Sequence, residues 1–378
     1  MKVLVAVGTR PEAVKLAPVV VALRGLGPEV ETRVVATGQH RALVDAFLRG
    51  FDLRPSYELG AMRPGQPLSC LVARLLESLD GVIAAEQPDW VVVQGDTATA
   101  FAGALAGFHR RVPVCHVEAG LRTGDLSQPF PEEANRRLAA VVTDLHCAPT
   151  EFARRNLVRE GVPQNAIILT GNTVVDALRS ASGQHATPPR EIADIPAERE
   201  LVLVTAHRRE NFGAPLRAIC AAIRDLVAAR PELHVAWPLH LNPNVGPVVV
   251  GELGRIDRVH LLDPLDYGSF LGVLKRCSLA LTDSGGVQEE APSLGKPVLV
   301  LRDATERPEG VDAGVARLVG TDRDRIVRET LDLLDDRPRR DRVSRFRDVY
   351  GDGRAAERIV GALLASRKTV SATVGASS

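Results

Sequence analysis

The sequence predicts an α/β protein made of two doubly wound parallel sheets, one following the other, with a cleft between them. Three observations carry that prediction. Short apolar runs alternate with longer amphipathic stretches along most of the chain, the pattern of strand–helix–strand units whose sheet is covered on both faces. The chain has 378 residues, more than one core comfortably fills. A polar, proline-rich stretch at 180–198 (SASGQHATPPREIADIPAE) separates two such series and reads as a linker.

In order, the first series places strands at Lys2–Val7, Glu31–Ala36, Trp90–Gln94, Val112–Val117, Thr143–Ala148 and Ala166–Thr170. Helical spacing falls between them over Glu12–Leu23, Leu68–Ala85, Ala98–Phe108 and Glu132–Val141. The second series places strands at Leu201–Thr205, Leu233–Pro238, Val259–Leu262, Ser278–Thr282, Pro297–Leu301 and Val315–Val319. Helices over Asp322–Asp335, Pro338–Tyr350 and Arg354–Ser366 come after the second sheet is complete, so the end of the chain is free to cross back and brace the first domain. Thr369–Ser378 reads as a loose tail. The expected domains are 1–175 and 176–355, with 356–378 as the returning helix and tail.

Composition narrows the function. Lys plus Arg and Asp plus Glu number 47 each, so no global field gathers nucleic acid or an anionic membrane surface. The five cysteines are odd in number and scattered without a C-x-x-C pair, which argues against a disulfide framework or a zinc site and for a reducing cytoplasm. The apolar run Val3–Val7 is too short for a signal segment or a membrane span, and no later run is long enough. No metal is expected, since the chain has neither a DxD triplet nor a histidine cluster at ligand spacing.

Ligands of open parallel sheets bind beyond the carboxyl ends of the strands. The turn after Ser278–Thr282, with Ser284, Gly285 and Gly286 opening a helix over Val287–Leu294, offers unsatisfied N–H groups and a positive helix end to a diphosphate. Glu290, one turn into that helix, suits ribose hydroxyls. An ordinary tight connection is the plain alternative for the turn. Arg10, Lys15, His207, Arg208, Arg209 and Arg307 supply cations enough for a diphosphate without a metal.

Asp96 and Glu118 end the third and fourth strands, and Glu132 opens a helix after Pro131, giving three carboxylates for one site. Carboxylates that crowd together cannot all ionise cheaply, so one is expected to stay protonated beside an ionised neighbour, an acid and a base suited to proton transfer at carbon. Asp96 has an alternative as a helix N-cap, and Glu132 and Glu133 as ordinary first-turn acids. His116 and His146 read as satisfied core histidines, Trp90, Trp237 and Phe101 as packing, and the arginine run RPRRDRVSRFR as a solvated helix face.

The segments GTRPEAVKLAP, TGQH, QGDTATAFAGALAG, HVEAGLRTGDLSQPFPEEANRR, GNTVVDAL, TAHRRENFG, PLHLNPNV and TDSGGVQEEAPSLGKPVLVLRDATERPEG are collinear from Lys2 to about Arg358. Together they resemble the non-hydrolysing UDP-N-acetylglucosamine 2-epimerases. The resemblance implies two Rossmann-like domains of the GT-B type and interconversion of UDP-GlcNAc and UDP-ManNAc by loss and re-addition of UDP through a 2-acetamidoglucal, with no cofactor. By motif, Asp96, Glu118 and Glu132 resemble the acid/base set, and His207 and Arg10 resemble groups that take phosphate or assist catalysis. Ser284, Gly285 and Gly286 match the diphosphate turn, Glu290 the ribose ligand, Arg307 and Lys15 further UDP-sugar contacts, and Phe270 the uracil neighbourhood. Gln39, Arg74, Glu133, Arg208 and His240 correspond to a regulatory UDP-GlcNAc site of bacterial relatives, and a homodimer is implied. Two departures stand out: Leu265 lies where a polar uracil contact is common, and Ala42 where relatives often carry Gln or Glu.

Other readings compete. A GT-B glycosyltransferase shares the fold and the nucleotide turn but needs one catalytic carboxylate, not three. An epimerase of another UDP-amino sugar would use the same residues, a hydrolysing relative would release free ManNAc and UDP, and a non-catalytic regulator would not need every motif carboxylate.

Overall fold

The strands that form the centre of each sheet are apolar runs without a polar face, as a parallel sheet covered on both sides requires. The computed structural model describes the chain apart from residues 39–52, 64, 183–185, 241, 344, 346, 347 and 375–378. Within it the first sheet holds β1 (Lys2–Val7), β2 (Glu31–Ala36), β3 (Tyr57–Glu58), β4 (Trp90–Gln94), β5 (Val114–Val117), β6 (Leu145–Ala148) and β7 (Ile167–Leu169). Their order is β3-β2-β1-β4-β5-β6-β7, every pair parallel. The second sheet holds β8 (Glu200–Thr205), β9 (Leu233–Pro238), β10 (Val259–Leu262), β11 (Leu279–Thr282), β12 (Val298–Val300) and β13 (Ala316–Leu318) in the order β10-β9-β8-β11-β12-β13, again all parallel. In each sheet the direction of winding reverses once, between β1 and β4 and between β8 and β11. Each reversal opens a crevice at the carboxyl ends of the two strands.

Six strands start one or two residues later than the sequence suggests, and in two of them a proline sets the start. β5 begins at Val114 and β12 at Val298, each directly after a proline, Pro113 and Pro297. A proline has no N–H to give the ladder, although both carbonyls are used, by Val91 and Ala280. β3 is a two-residue edge strand in register with β2 through Val35↔Tyr57 and Ala36↔Glu58, too short to leave a period in the sequence.

Helices close both faces. The helix Ala98–His109 approaches β4 and β5 through glycines: a Cβ on Gly103 would lie 2.9 Å from Val93, and one on Gly107 2.7 Å from Val114. The second unit has its own core, with Val202, Val204, Leu279 and Leu281 of the sheet against Leu216, Ile219, Ile223 and Leu226 of the helix Ala214–Ala229.

The chain forms two compact units, Met1–Arg179 with Tyr350–Ser378, and Ser180–Val349. The last helix, Ala355–Val374, therefore belongs with the first sheet and packs on the helix Arg10–Arg24. Its start is capped from within that unit: the Ala355 and Ala356 amides donate to Asp176, at 3.2 and 2.9 Å. Asn172 N–H donates to the Tyr350 carbonyl at 2.7 Å, and Arg358 to the Thr170 carbonyl at 2.9 Å. The helix runs on to Val374, where the sequence suggests a loose tail from Thr369. Of the helix expected over Pro338–Tyr350, Arg337–Val343 is helical, and 344, 346 and 347 lie outside the described residues.

Candidate active site

The first unit gathers its charged side chains at the β1–β4–β5 strand ends. Arg10 is the first residue of the helix Arg10–Arg24, and Lys15 lies one turn further along it. Lys15 Nζ meets Glu118 Oε1 in a buried ion pair, the two side chains 6% and 4% exposed, and the Gln94 amide donates to Glu118 Oε2. Glu118 has φ 61°, in the left-handed region that disfavours a side chain by about 1 kcal/mol or more. A residue held there by a buried lysine and a strand glutamine is aimed, and such strain concentrates at functional sites.

Asp96 is not a cap. Thr97 caps the helix Ala98–His109, accepting from Ala100 N–H at 3.0 Å, so the capping alternative for Asp96 falls away. Instead the Arg136 guanidinium binds Asp96 Oδ2, and the Asn135 amide donates to the Asp96 carbonyl at 2.9 Å. Both come from the helix Glu132–Val141, which Glu132 opens, so the element carrying Glu132 is fastened to Asp96. The crowding expected of the carboxylates is thus relieved at Asp96 and Glu118 by a buried cation for each. Glu133, wholly buried, accepts from Thr123 N–H at 3.1 Å and Gly124 N–H at 3.3 Å and pairs with Arg136 at 2.9 Å.

Buried acids that the sequence did not single out include Glu12 here and Asp283, Glu289 and Glu306 in the second unit. Glu12 is 1% exposed and accepts from Gly8 N–H at 3.1 Å, Thr9 N–H at 2.6 Å, Thr9 Oγ1 at 2.8 Å and Thr97 Oγ1 at 2.7 Å. It closes a capping box on its own helix and ties that turn to the cap beside Asp96, across the crevice from β1 to β4. Burial outweighs the four donors and pushes its carboxyl up to about 7. The Thr-x-x-Glu spacing of Thr9 and Glu12 is the signal that was available. The two strand histidines are buried as expected, but His116 and His146 each keep an Nδ1 without a hydrogen-bond partner, and burial pushes both down to about 4. His116 Nε2 lies 2.7 Å from the Gly95 carbonyl.

The second unit arranges its groups around the β8–β11 ends. Ser284 precedes the helix Gly285–Ser293, which starts two residues earlier than expected and takes both glycines into its first turn. A Cβ on Gly285 would lie 2.8 Å from Arg307 Nη1, so the turn packs directly on that guanidinium. Arg307 is held in turn by Glu289 at 2.6 Å and by Glu306, which also takes Arg302 at 2.9 Å. Glu290 is 7% exposed and accepts from the Tyr267 hydroxyl at 3.1 Å; Phe270 lies buried one turn further along the same helix as Tyr267. His207 and Arg208 follow β8, their amides both donating to Asp283 Oδ2 at 2.8 Å, and the His207 ring stacks on His240 with centroids 4.9 Å apart.

Of the residues matched to a regulatory site, Arg208 and His240 thus neighbour His207, Arg74 lies on the helix Leu68–Glu86 bonded to Gln66, and Gln39 falls outside the described residues, as does Ala42.

The family model described as UDP-N-acetylglucosamine 2-epimerase matches residues 26–364. The UDP-N-acetylglucosamine 2-epimerase of Escherichia coli K12 is 48% identical over 97% of this chain and 99% of its own. The crystal structure of the UDP-GlcNAc 2-epimerase from Neisseria meningitidis bound to UDP-GlcNAc superposes with a TM-score of 0.92, at 42% identity over 96% of this chain and all of that one. That of Methanocaldococcus jannaschii, in complex with UDP-GlcNAc and UDP, gives a TM-score of 0.84 at 33% identity over 96% and 99% of the two chains. The fold is accordingly the GT-B-like pair of Rossmann-type domains.

Proposed function

Because the chain belongs to the UDP-N-acetylglucosamine 2-epimerase family, we propose that its reaction, inversion of UDP-GlcNAc at sugar C2, runs by elimination and re-addition of UDP at the residues described above. A carboxylate takes the C2 proton as the C1–O bond to UDP breaks, and the electron pair of the C–H bond becomes the C1=C2 double bond of 2-acetamidoglucal. A second acid then protonates C2 from the opposite face while a diphosphate oxygen of UDP attacks C1, giving UDP-ManNAc. Hydrogen is lost and regained once, so no redox cofactor takes part.

The observation that carries this reading is Glu118: a buried carboxylate in left-handed backbone, paired with Lys15 and braced by Gln94, one strand away from Asp96 with its own arginine. The ammonium favours the ionised form, as a base requires. Asp96, Glu118 and Glu132 make the acid/base set. Ser284, Gly285 and Gly286, with Arg10, Lys15, Arg307 and His207, take the diphosphate and stabilise its departure, since C2–H has no carbonyl to acidify it. Glu290 binds ribose and the Phe270 helix flanks the uracil. A second UDP-GlcNAc at Gln39, Arg74, Glu133, Arg208 and His240 would activate the enzyme. Strictly hyperbolic kinetics from UDP-ManNAc alone, unchanged by added UDP-GlcNAc, would remove that part.

The protein acts as a homodimer in the cytoplasm. The exposed Phe108, Leu138 and Val141, on the adjoining helices Ala98–His109 and Glu132–Val141, support self-association, and Val141→Asp is expected to give a monomer by light scattering. Free cysteines and a nucleotide-sugar substrate support the compartment. Among the described residues, no helix is long and apolar enough to cross a membrane.

The deciding experiment is incubation with UDP-GlcNAc in deuterated water, followed by NMR. Deuterium at C2 together with UDP-ManNAc is expected; an inert substrate, or free sugar and UDP alone, would overturn the reading. Asp96→Asn, Glu118→Gln and Glu132→Gln should each lower turnover at least about a hundredfold with UDP affinity within severalfold.

A further inference from the structure

We propose that Asp283 is a positioning residue for His207, holding the imidazole by Nδ1 so that Nε2 is the nitrogen that meets the departing diphosphate. The proposal rests on the reading of His207 as a substrate-facing group and adds to it the residue through which that group is set.

Asp283 follows β11 and is fully buried, facing the end of β8 across the winding reversal of the second sheet. Its two oxygens have different work. Oδ2 accepts from His207 N–H at 2.8 Å, Arg208 N–H at 2.8 Å and the Asn211 amide at 2.9 Å, which fastens the 207–211 loop to the sheet. Oδ1 is buried with no closed hydrogen bond, and His207 Nδ1 stands 3.2 Å from it. A buried carboxylate oxygen without a donor is costly, and a proton on Nδ1 removes that cost. The imidazole accordingly carries Nδ1–H in its neutral form, and Nε2 takes up or releases the exchangeable proton.

The surroundings hold the ring in place. His240 stacks on His207 with 13° between the ring planes, and the His207 side chain is one-third exposed, open enough to meet a ligand. Arg208, the next residue, is also engaged: its Nε donates to the Asp283 carbonyl at 3.2 Å and its Nη2 lies 3.8 Å from Glu306. The charged and titratable groups about the ring include Asp283, Arg208, His240 and, through Arg208, Glu306. In its imidazolium form the ring keeps Nδ1–H toward Asp283 and donates from Nε2 to the diphosphate oxygen as the C1–O bond breaks. In the return direction the same nitrogen takes that proton back.

The test separates the two oxygens. Histidines labelled with 15N are followed by long-range 1H–15N NMR over pH 5 to 9, with His207→Gln to assign the ring. The Nδ1–H tautomer is expected in the wild type, with the His207 midpoint falling by about one unit or more in Asp283→Asn. Turnover in Asp283→Asn should fall about tenfold or more with UDP affinity, by calorimetry, within about fivefold; in the His207→Gln background the same change should cost less than about threefold. An Nε2–H tautomer in the wild type overturns the proposal, and that measurement does not need the Asp283 variant to fold. Equal losses with and without the imidazole also overturn it, because they assign Asp283 to the loop alone. If the wild type fails to epimerise UDP-GlcNAc, the reading of the reaction fails, while the tautomer and midpoint still decide the pairing.

Discussion

Replacing Lys15 by methionine isolates the buried pair on which the candidate base depends. The side chains of Lys15 and Glu118 are 6% and 4% exposed, so water screens the pair little. Two unit charges in contact attract by about 4 kcal/mol at the effective dielectric of such sites, and removing one partner of a buried pair typically costs about 3–5 kcal/mol. Methionine fills most of the lysine volume, which leaves the lost ion pair as the main term. Glu118 relieves it by binding a proton, so in the variant its folded titration point lies above the unfolded one. Stability is then regained as pH falls, at about 1.4 kcal/mol per unit below that raised point, and lost as pH rises through it.

The chain's two tryptophans make the measurement direct: Trp90 is in β4 of the first unit and Trp237 in β9 of the second. In a Trp237→Phe background, urea unfolding followed by Trp90 fluorescence reports the unit that holds Lys15. Lys15→Met should lose about 3–5 kcal/mol at pH 8 and clearly less at pH 6, and adding Glu118→Gln should restore most of the loss. A loss below about 1 kcal/mol, no dependence on pH, or strict additivity of the two changes would refute the reasoning.

Two further outcomes follow from close contacts. Gly285→Ala puts a Cβ 2.8 Å from the Arg307 guanidinium, which cannot retreat from Glu289 and Glu306, whereas a Cβ on Gly286 would meet nothing nearer than Ser284 Oγ at 3.8 Å. UDP titration calorimetry should find affinity about tenfold or more weaker in Gly285→Ala and less affected in Gly286→Ala, and the reverse order would count against the packing argument. For Glu12, a folded titration point raised from the ordinary 4.5 to about 7 means that its contribution to stability is complete below 4.5 and lost as pH rises through 7. Glu12→Gln should remove a decline of about 3 kcal/mol over that window, read as the difference between the Trp90 curves of wild type and variant; parallel curves would show that Glu12 does not titrate there.

The sheets were legible because strands buried on both faces must be continuous apolar runs, as WVVVQ and LVLVT are. Strand order was legible only as the usual winding of such units. What escaped was set by the backbone rather than by hydrophobicity. Pro113 and Pro297 delay the start of two strands through a missing N–H, and β3 is two residues in register with β2. The last helix outruns its apolar pattern to Val374.

At the candidate site the sequence displayed which residue types stand at strand ends but not whom each one holds. Lys15 meets Glu118 across 103 residues, Arg136 meets Asp96 across 40, and the His207 amide meets Asp283 across 76. Pairings at such separations are made by the winding order of the sheet and leave no local spacing to read. The consequence is chemical. A carboxylate counted in the sequence as one of three crowded acids acquires, once folded, a cation of its own, and a cation counted as a phosphate ligand turns out to be engaged with a carboxylate. Lys15 illustrates it: its motif matches a substrate contact, yet its ammonium lies against Glu118. If the two act as proposed, binding and proton transfer are coupled through one buried charge, and a substitution at Lys15 is expected to alter both the affinity for substrate and the pH at which the base works.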